Sequence, residues 1–200
     1  MTKLLYQTDS YLKEFDATIT RVDQATNAVT LDCSAFYPGG GGQPHDTGWL
    51  EIDQQKIPVM RVHKTEDGVW HEIDPTFPLP SIGTRVKATI DWDRRYKLMR
   101  THTAMHVLCG VVFRDFGALV TGGNMDPLEG RMDFEFENLT KDLVQGIEET
   151  VNQEIQKGHP IKVNILPREE AFQIPDLIRT KINLLPPQIS EIRTVEIIGL

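Results

Sequence analysis

The hydrophobic period of this chain changes once, close to residue 92, and that change constrains where its two kinds of secondary structure can lie. Before it, apolar residues alternate with polar ones in short runs bounded by turn residues. Phe15, Ala17 and Ile19 make one run; after Asp23-Gln24-Ala25-Thr26-Asn27, the residues Val29, Leu31 and Cys33 make a second, and the two predict a hairpin. Trp49 to Ile52, Ile57 to Val62 and Val69 to Ile73 follow, and beyond the proline-rich break Pro75 to Pro80 come Val86, Ala88, Ile90 and Trp92. No helical period is sustained here, so short strands at this spacing predict a small β-barrel or sandwich.

From Asp93 the period lengthens to that of a helix. Tyr96, Met99, Thr103, His106, Gly110 and Phe113 form one stripe, with Leu98, His102, Met105, Cys109, Val112 and Phe116 beside it, so a helix is expected from about Asp93 to Phe116, stopped by Gly117. Arg131 to Phe136 alternates as a strand. Asn138 or Thr140 caps a second helix that runs through Leu143, Ile147, Val151 and Ile155 to Gly158. Ile161, Val163 and Ile165 form a strand, Pro167 to Glu170 opens a short helix, and Ile192 to Ile198 forms a last strand. The expected fold class is α+β: a small N-terminal β-barrel over residues 1–92, then an α+β domain over 93–200 with an antiparallel sheet and flanking helices, joined around Asp91 to Asp93.

Two hundred residues that are 40% hydrophobic can bury a core without covalent staples. Cys33 and Cys109 are too few for a disulfide framework. No window approaches the 18 or so apolar residues of a membrane span, and Met1 to Tyr6 contains no signal-peptide run, so a cytoplasmic protein is expected. With 21 Lys and Arg against 29 Asp and Glu, the net charge of -8 argues against loose, sequence-blind binding to nucleic acid, DNA included, while a local basic patch stays open.

The sharpest chemical signal is Arg100-Thr101-His102-Thr103-Ala104-Met105-His106. Histidines four apart on a helix share a face, with Cβ atoms roughly 6 Å apart, and can chelate one metal, zinc by default. The same spacing also suits two core histidines bonded to backbone or solvent. A zinc protease would carry Glu after the first His, and here that position is Thr103. Cys109 lies three residues past His106, but about 10.5 Å along the axis from His102, too far to share the ion, and is expected as a packed thiol. His45, His63, His71 and His159 have no paired spacing and are expected in surface or structural roles.

A second signal is Phe36-Tyr37-Pro38-Gly39-Gly40-Gly41-Gly42-Gln43-Pro44-His45-Asp46-Thr47-Gly48, which joins strand to strand. Four glycines allow positive φ and close approach to a partner at a cost in chain entropy; the alternative is a flexible connector. A nucleotide P-loop would need Gly-Lys-Ser/Thr and a following helix, and neither is present.

Phe-Tyr-Pro-x-x-Gly-Gly-Gln-x-x-Asp-Thr-Gly at 36 to 48 and Arg-x-His-Thr-Ala-x-His at 100 to 106 together resemble the editing domain of alanyl-tRNA synthetase. The chain is similar above all to the free-standing AlaX-type alanyl-tRNA editing proteins, in the longer form that carries the barrel and the glycine motif. The likeness continues through Arg131-x-Asp133-Phe134, Pro160-Ile161, Pro167-Arg168-Glu169-Glu170-Ala171 and Arg193-x-Val195-x-Ile197, and so spans nearly the whole chain.

The resemblance implies a hydrolase that deacylates tRNA(Ala) wrongly charged with serine, or in some members glycine, because a synthetase pocket sized for alanine rejects such small neighbours weakly. It implies zinc as cofactor, with His102 and His106 as ligands and the remaining two in a Cys-x-x-x-His segment expected after Leu200. The zinc activates water or grips the substrate; sequence leaves both open. Thr121 aligns with a threonine that bonds the serine hydroxyl, or is a turn residue. Gln43, with Gly40, Gly41 and Gly42, is the candidate for lining the pocket mouth. The partner implied is the acceptor end of tRNA(Ala), for which Arg94, Arg95, Lys97 and Arg100 form a candidate cationic patch, or a solvated helix face. The competing function is a catalytically silent tRNA-binding module of the same fold, or a truncated fragment of it. A zinc-independent esterase is disfavoured by the lack of a Gly-x-Ser-x-Gly elbow.

Overall fold

The structure, a computed structural model, describes residues 2–175, 177–180 and 188–200. Its elements run in the order β1 (Lys3–Leu4), a 3-10 turn (Leu5–Gln7), β2 (Glu14–Asp23), β3 (Ala28–Leu31), β4 (Cys33–Ser34), β5 (Gly48–Ile52), β6 (Gln55–Thr65), β7 (Gly68–Ile73), β8 (Arg85–Ile90), α1 (Trp92–Phe116), β9 (Val120–Asp126), β10 (Glu129–Phe134), α2 (Lys141–Lys157), β11 (Ile161–Pro167), α3 (Arg168–Ala171) and β12 (Glu191–Ile197). The chain forms two compact units, Met1–Met99 with Met125–Leu128, and Arg100–Asn124 with Glu129–Leu200. The division falls within α1, a few residues past the expected join.

The first unit is built on a closed barrel in the order β2-β3-β7-β6-β5-β8, with every barrel pairing antiparallel, and beside it β1 pairs with β4 in parallel. Closure leaves no unpaired strand edge, which is how a short all-antiparallel sheet avoids edge-to-edge association. The alternating residues read from the sequence point inward: Phe15, Ala17, Ile19, Val29, Leu31 and Ile90 are all buried. Register shifts between Ile19 and Arg21 and between Val59 and Arg61 supply the local bends that a small barrel needs. Gly48 opens β5 where a side chain has no room, since a Cβ there would lie 2.2 Å from the Thr89 carbonyl oxygen and 2.9 Å from the Phe36 ring.

Several polar side chains are buried in this unit, His71 and Ser34 among them. His71 is fully buried, with Nδ1 3.3 Å from the Val29 carbonyl and Nε2 2.8 Å from Ser34 Oγ. A carbonyl only accepts, so Nδ1 carries the proton and Nε2 accepts from the Ser34 hydroxyl. Burial pushes the imidazole down to about 4 from its usual 6.5.

In the second unit, α2 is capped at both ends as the sequence indicates. Thr140 Oγ1 accepts from the Leu143 amide at 3.3 Å, and Gly158 takes the left-handed conformation with φ of 64°. Ile147 and Val151 of α2 pack with Leu108, Val112 and Phe134. The strands form two separate pairs, β9 with β10 and β11 with β12, the latter antiparallel from Ile161↔Ile197 to Pro167↔Glu191. The sequence pattern gives no signal for β9. It forms because Gly122 and Gly123 admit the neighbouring strand closely: a Cβ at Gly123 would stand 2.8 Å from the Arg131 carbonyl oxygen.

Glu154 joins the ends of three segments. Its carboxylate, buried on α2, takes Arg114 Nη1 at 2.7 Å, Lys157 Nζ at 2.9 Å and His159 Nε2 at 2.8 Å. The Arg114 hydrogen bond first, then those of Lys157 and His159, hold its pKa down to about 2. His159 Nδ1 in turn lies 2.9 Å from the Ile198 carbonyl, at the end of β12.

Because folded His71 stays neutral down to about pH 4 while the unfolded side chain protonates near 6.5, the unfolded state binds the extra proton between those values. Stability therefore falls as pH drops through this window. His71→Phe is expected to reduce the difference in urea midpoint between pH 7 and pH 4.5; an undiminished difference would place the titration elsewhere.

Candidate functional site

Helix α1 starts where the barrel ends. Asp91 Oδ1 accepts from the Arg94 amide at 3.1 Å, an N-cap, while the Asp91 amide donates to the Thr47 carbonyl at 2.8 Å. Gly117, with φ of 66° and its amide on the Phe113 carbonyl, closes the other end. Helical propagation between these caps sets His102 and His106 one turn apart. Their rings stack with centroids 4.8 Å apart and planes 23° from parallel.

Both imidazoles are held neutral. Burial first, then the charges of His106 and Arg193, push His102 down to about 4. His106 is the more open of the two and is also lowered, by desolvation and then by Arg179. The neutral imidazole is the form that ligates a metal. These two nitrogen donors fit half of a zinc coordination sphere; among the described residues, no group of three or more His, Cys, Asp or Glu side chains is placed to hold an ion. Cys109 is buried, and burial pushes its thiol up, as a packed thiol requires.

The β9–β10 hairpin lies against this part of α1 through glycine. A Cβ at Gly130 would stand 2.8 Å from Met105 Sδ and 3.3 Å from Thr101 Cγ2. Thr121 is exposed on β9, and next to it Gly122 faces the Asp133 carboxylate, itself ion-paired with Arg131. Leu200 packs on Gly110, its Cγ 2.8 Å from where a Cβ would be, one turn beyond His106 on the same stripe.

The glycine motif belongs to the first unit and is a shaped turn rather than a slack connector. Gly39, Gly40, Gly41 and Gly42 all have positive φ, at 82°, 129°, 59° and 82°. Paired bonds between Gly40 and Gln43 close the turn, and the Tyr37 hydroxyl donates to the Gly40 carbonyl at 3.0 Å. Gly40, Gly41 and Gly42 are exposed and Gln43 half-buried.

The four candidate cations at the start of α1 are not equivalent. Arg95 is 3% exposed: Nε lies 2.9 Å from Asp46 Oδ1, Nη2 contacts Asp46 Oδ2 and the Ala35 carbonyl, and Nη1 bonds the Ser10 carbonyl. It presents no charge to a polyanion. Arg94 reaches the His45 carbonyl at 3.3 Å, and Lys97 pairs with exposed Asp93 at 2.6 Å. The exposed or half-exposed cations are therefore Arg94, Lys97 and Arg100.

Sequence reasoning missed Arg179, whose charge acts on His106 and whose guanidinium lies over the Phe113 ring at 5.1 Å. It stands in a stretch without periodicity, so only the tertiary fold reveals its place.

Residues 6–94 match the family described as tRNA synthetases class II (A). Over 202 aligned residues the chain is 43% identical to the alanyl-tRNA editing protein AlaX-M of Saccharolobus solfataricus, covering all of this chain and 83% of that protein. The AlaX-M of Methanosarcina acetivorans is 38% identical over 206 residues, again across the whole of this chain and 84% of the relative. The alanine–tRNA ligase of Ignicoccus hospitalis is 39% identical over 173 residues, 85% of this chain but 19% of the ligase. With full-length identity to the first two and only a segment shared with the ligase, the chain belongs to the family of AlaX-M alanyl-tRNA editing proteins.

Proposed function

We propose that this protein hydrolyses the ester of wrongly charged tRNA(Ala), releasing serine and, as a second substrate, glycine, at a zinc centre built on His102 and His106. The observation that carries this is the neutral histidine pair on α1, in a chain 43% identical along its whole length to an alanyl-tRNA editing protein. In the reaction, water adds to the ester carbonyl, the bond to the terminal ribose oxygen breaks, and that oxygen takes the proton, leaving free amino acid and tRNA(Ala). Zinc, when bound by these histidines, would supply Lewis acidity, either to activate water or to grip the substrate.

The chain's own residues bind and discriminate. His102 and His106 offer two ring nitrogens; the other ligands are assigned to the Cys-x-x-x-His segment that the family resemblance places after Leu200. The packing of Leu200 on Gly110 supports this assignment, because it delivers the chain to the histidine stripe. Thr121 on β9 donates to or accepts from the serine hydroxyl, a bond that alanine cannot make. In the first unit, Gln43 and the exposed turn at Gly40, Gly41 and Gly42 are the candidates for contact with the substrate. Arg94, Lys97 and Arg100 meet acceptor-end phosphates. The protein works in the cytoplasm, where aminoacyl-tRNA is made.

The test is deacylation of Ser-, Gly- and Ala-tRNA(Ala) by the full-length protein, with and without zinc. Release of serine but not alanine, lost on chelation and restored by zinc, is expected; zinc binding without serine release would leave a silent tRNA-binding module. His102→Ala should lower kcat/KM by more than the roughly 10–100-fold that loss of a supporting partner costs. Thr121→Val is expected to slow serine release on the order of 10-fold, the scale of one lost hydrogen bond, with glycine release little changed. Equal slowing of both would remove the serine-specific role.

Arg95→Gln should behave unlike Arg94→Gln. The first leaves Asp46 buried without its partner and should cost about 3–5 kcal/mol of stability in urea titrations, while the second leaves the fold intact and weakens tRNA binding. Equal stability of the two variants would contradict this division of roles.

A further inference from the structure

Among the described residues, the half-buried guanidinium of Arg179 enters no hydrogen bond or ion pair. It is stacked over Phe113 at 5.1 Å, with Nη1 3.5 Å from the position a Cβ would take at Gly110. Gly110 follows His106 by one helical turn, so this charge is fixed at the end of the histidine stripe. Arg193, on β12, acts electrostatically on His102, at the other member of the pair. Other guanidinium groups of this unit have protein partners: Arg114 binds Asp115 and Glu154, Arg131 binds Asp133, and Arg168 bonds the Ile189 carbonyl.

A guanidinium partly withdrawn from water without a carboxylate is costly, and beside a site for a metal cation it is costlier still. Among the described residues no carboxylate neutralises it. An anion that arrives with the substrate resolves both costs. A fixed, planar donor fork resting on an aromatic ring suits a phosphodiester oxygen pair.

We propose that Arg179, assisted by Arg193, is an anion anchor that binds a phosphate of the single-stranded 3′ end of the tRNA, next to the histidine pair. This rests on the editing function proposed above, to which it adds the residue that registers the terminal nucleotides against the site. Backbone position supports the role: the Arg179 carbonyl accepts from the Val120 amide at 3.1 Å, and Thr180 bridges to Val120, so the anchor is tied to the strand that carries Thr121. The phosphate grip and the proposed serine contact are thus held by adjacent backbone.

The test uses uncharged tRNA(Ala) and the full-length protein, so that binding is read without catalysis. Affinity is measured across a salt series for wild type, Arg179→Gln and Arg179→Lys, with intact tRNA and with tRNA trimmed of its single-stranded 3′ nucleotides. Arg179→Gln should bind several-fold more weakly and reduce the slope of log K against log salt by about 0.7, the value for one single-strand phosphate contact. Arg179→Lys should keep the wild-type slope, and on trimmed tRNA all three proteins should converge. On Ser-tRNA(Ala), Arg179→Gln should raise KM more than it lowers kcat. An unchanged salt slope in Arg179→Gln, a difference that persists on trimmed tRNA, a loss confined to kcat, or no tRNA binding by wild type would each overturn the anchor. Intact deacylation alongside an unchanged slope would leave the editing function standing without it, whereas absent deacylation with the expected slope change would retain the anchor and remove the reaction.

Discussion

A buried ion pair between Arg95 and Asp46 ties the first unit together, and the glycine motif takes its shape from it. The Arg95 guanidinium also bonds the carbonyls of Ser10 and Ala35, and Asp46 also accepts from the Tyr37 amide at 2.6 Å. Four separate stretches therefore meet at one pair: the segment before β2, the chain after β4, the far side of the glycine turn and the first turn of α1. Two charges so deeply withdrawn from water survive only because nearly every donor and acceptor is matched. The geometry this imposes is narrow, since Asp46 has to lie within reach of both Tyr37 and Arg95. The chain between Tyr37 and Asp46 must reverse within eight residues, and a run of positive φ at Gly39 to Gly42 is how it does so.

The glycine motif thus has a structural half and an exposed half. Asp46 and Gly48 serve the fold, one as the anion of the buried pair and the other as the only residue that fits between the Thr89 carbonyl and the Phe36 ring. Gly40, Gly41 and Gly42 stand at the surface, where no neighbouring atom explains the glycine at 41, though its φ of 59° does. Anchoring the ends reduces the entropy that four glycines would otherwise retain. A turn of fixed shape at the surface is then available for contact with a ligand.

Periodicity made most of this legible in advance. Alternation at Phe15, Ala17 and Ile19, or at Val86, Ala88 and Ile90, reports burial of one strand face directly, and α1 and α2 carry both helical spacing and glycine stops. The histidine pair was legible for the same reason, because four-residue spacing becomes geometry once the helix is known. Strand β9 was not, since Val120-Thr121-Gly122-Gly123-Asn124 has turn composition and becomes a strand only through the close approach of β10. Arg94, Arg95, Lys97 and Arg100 looked alike as a cluster for a similar reason. Helical position alone does not tell which arginine meets a buried carboxylate; that depends on Asp46, 49 residues away.

Charge placement in the second unit follows one rule with one departure. Glu154 collects Arg114, Lys157 and His159, and so fastens the ends of α1 and α2 to the close of β12, where Ile198 and Leu200 bring the chain to the histidine stripe. His102 and His106 carry no charge at neutral pH, and the cations that act on them favour that state. Neutrality at the pair is useful to a metal, but the same cations oppose a second positive charge. On the proposed function this opposition has a purpose: the positive field near the pair is offset by a substrate whose backbone is anionic, so tRNA with its phosphates favours the occupied site while a free amino acid ester does not. Specificity for the carrier and chemistry at the ester would then be two consequences of one electrostatic arrangement, which a protein of net charge -8 can sustain only by keeping its cations local.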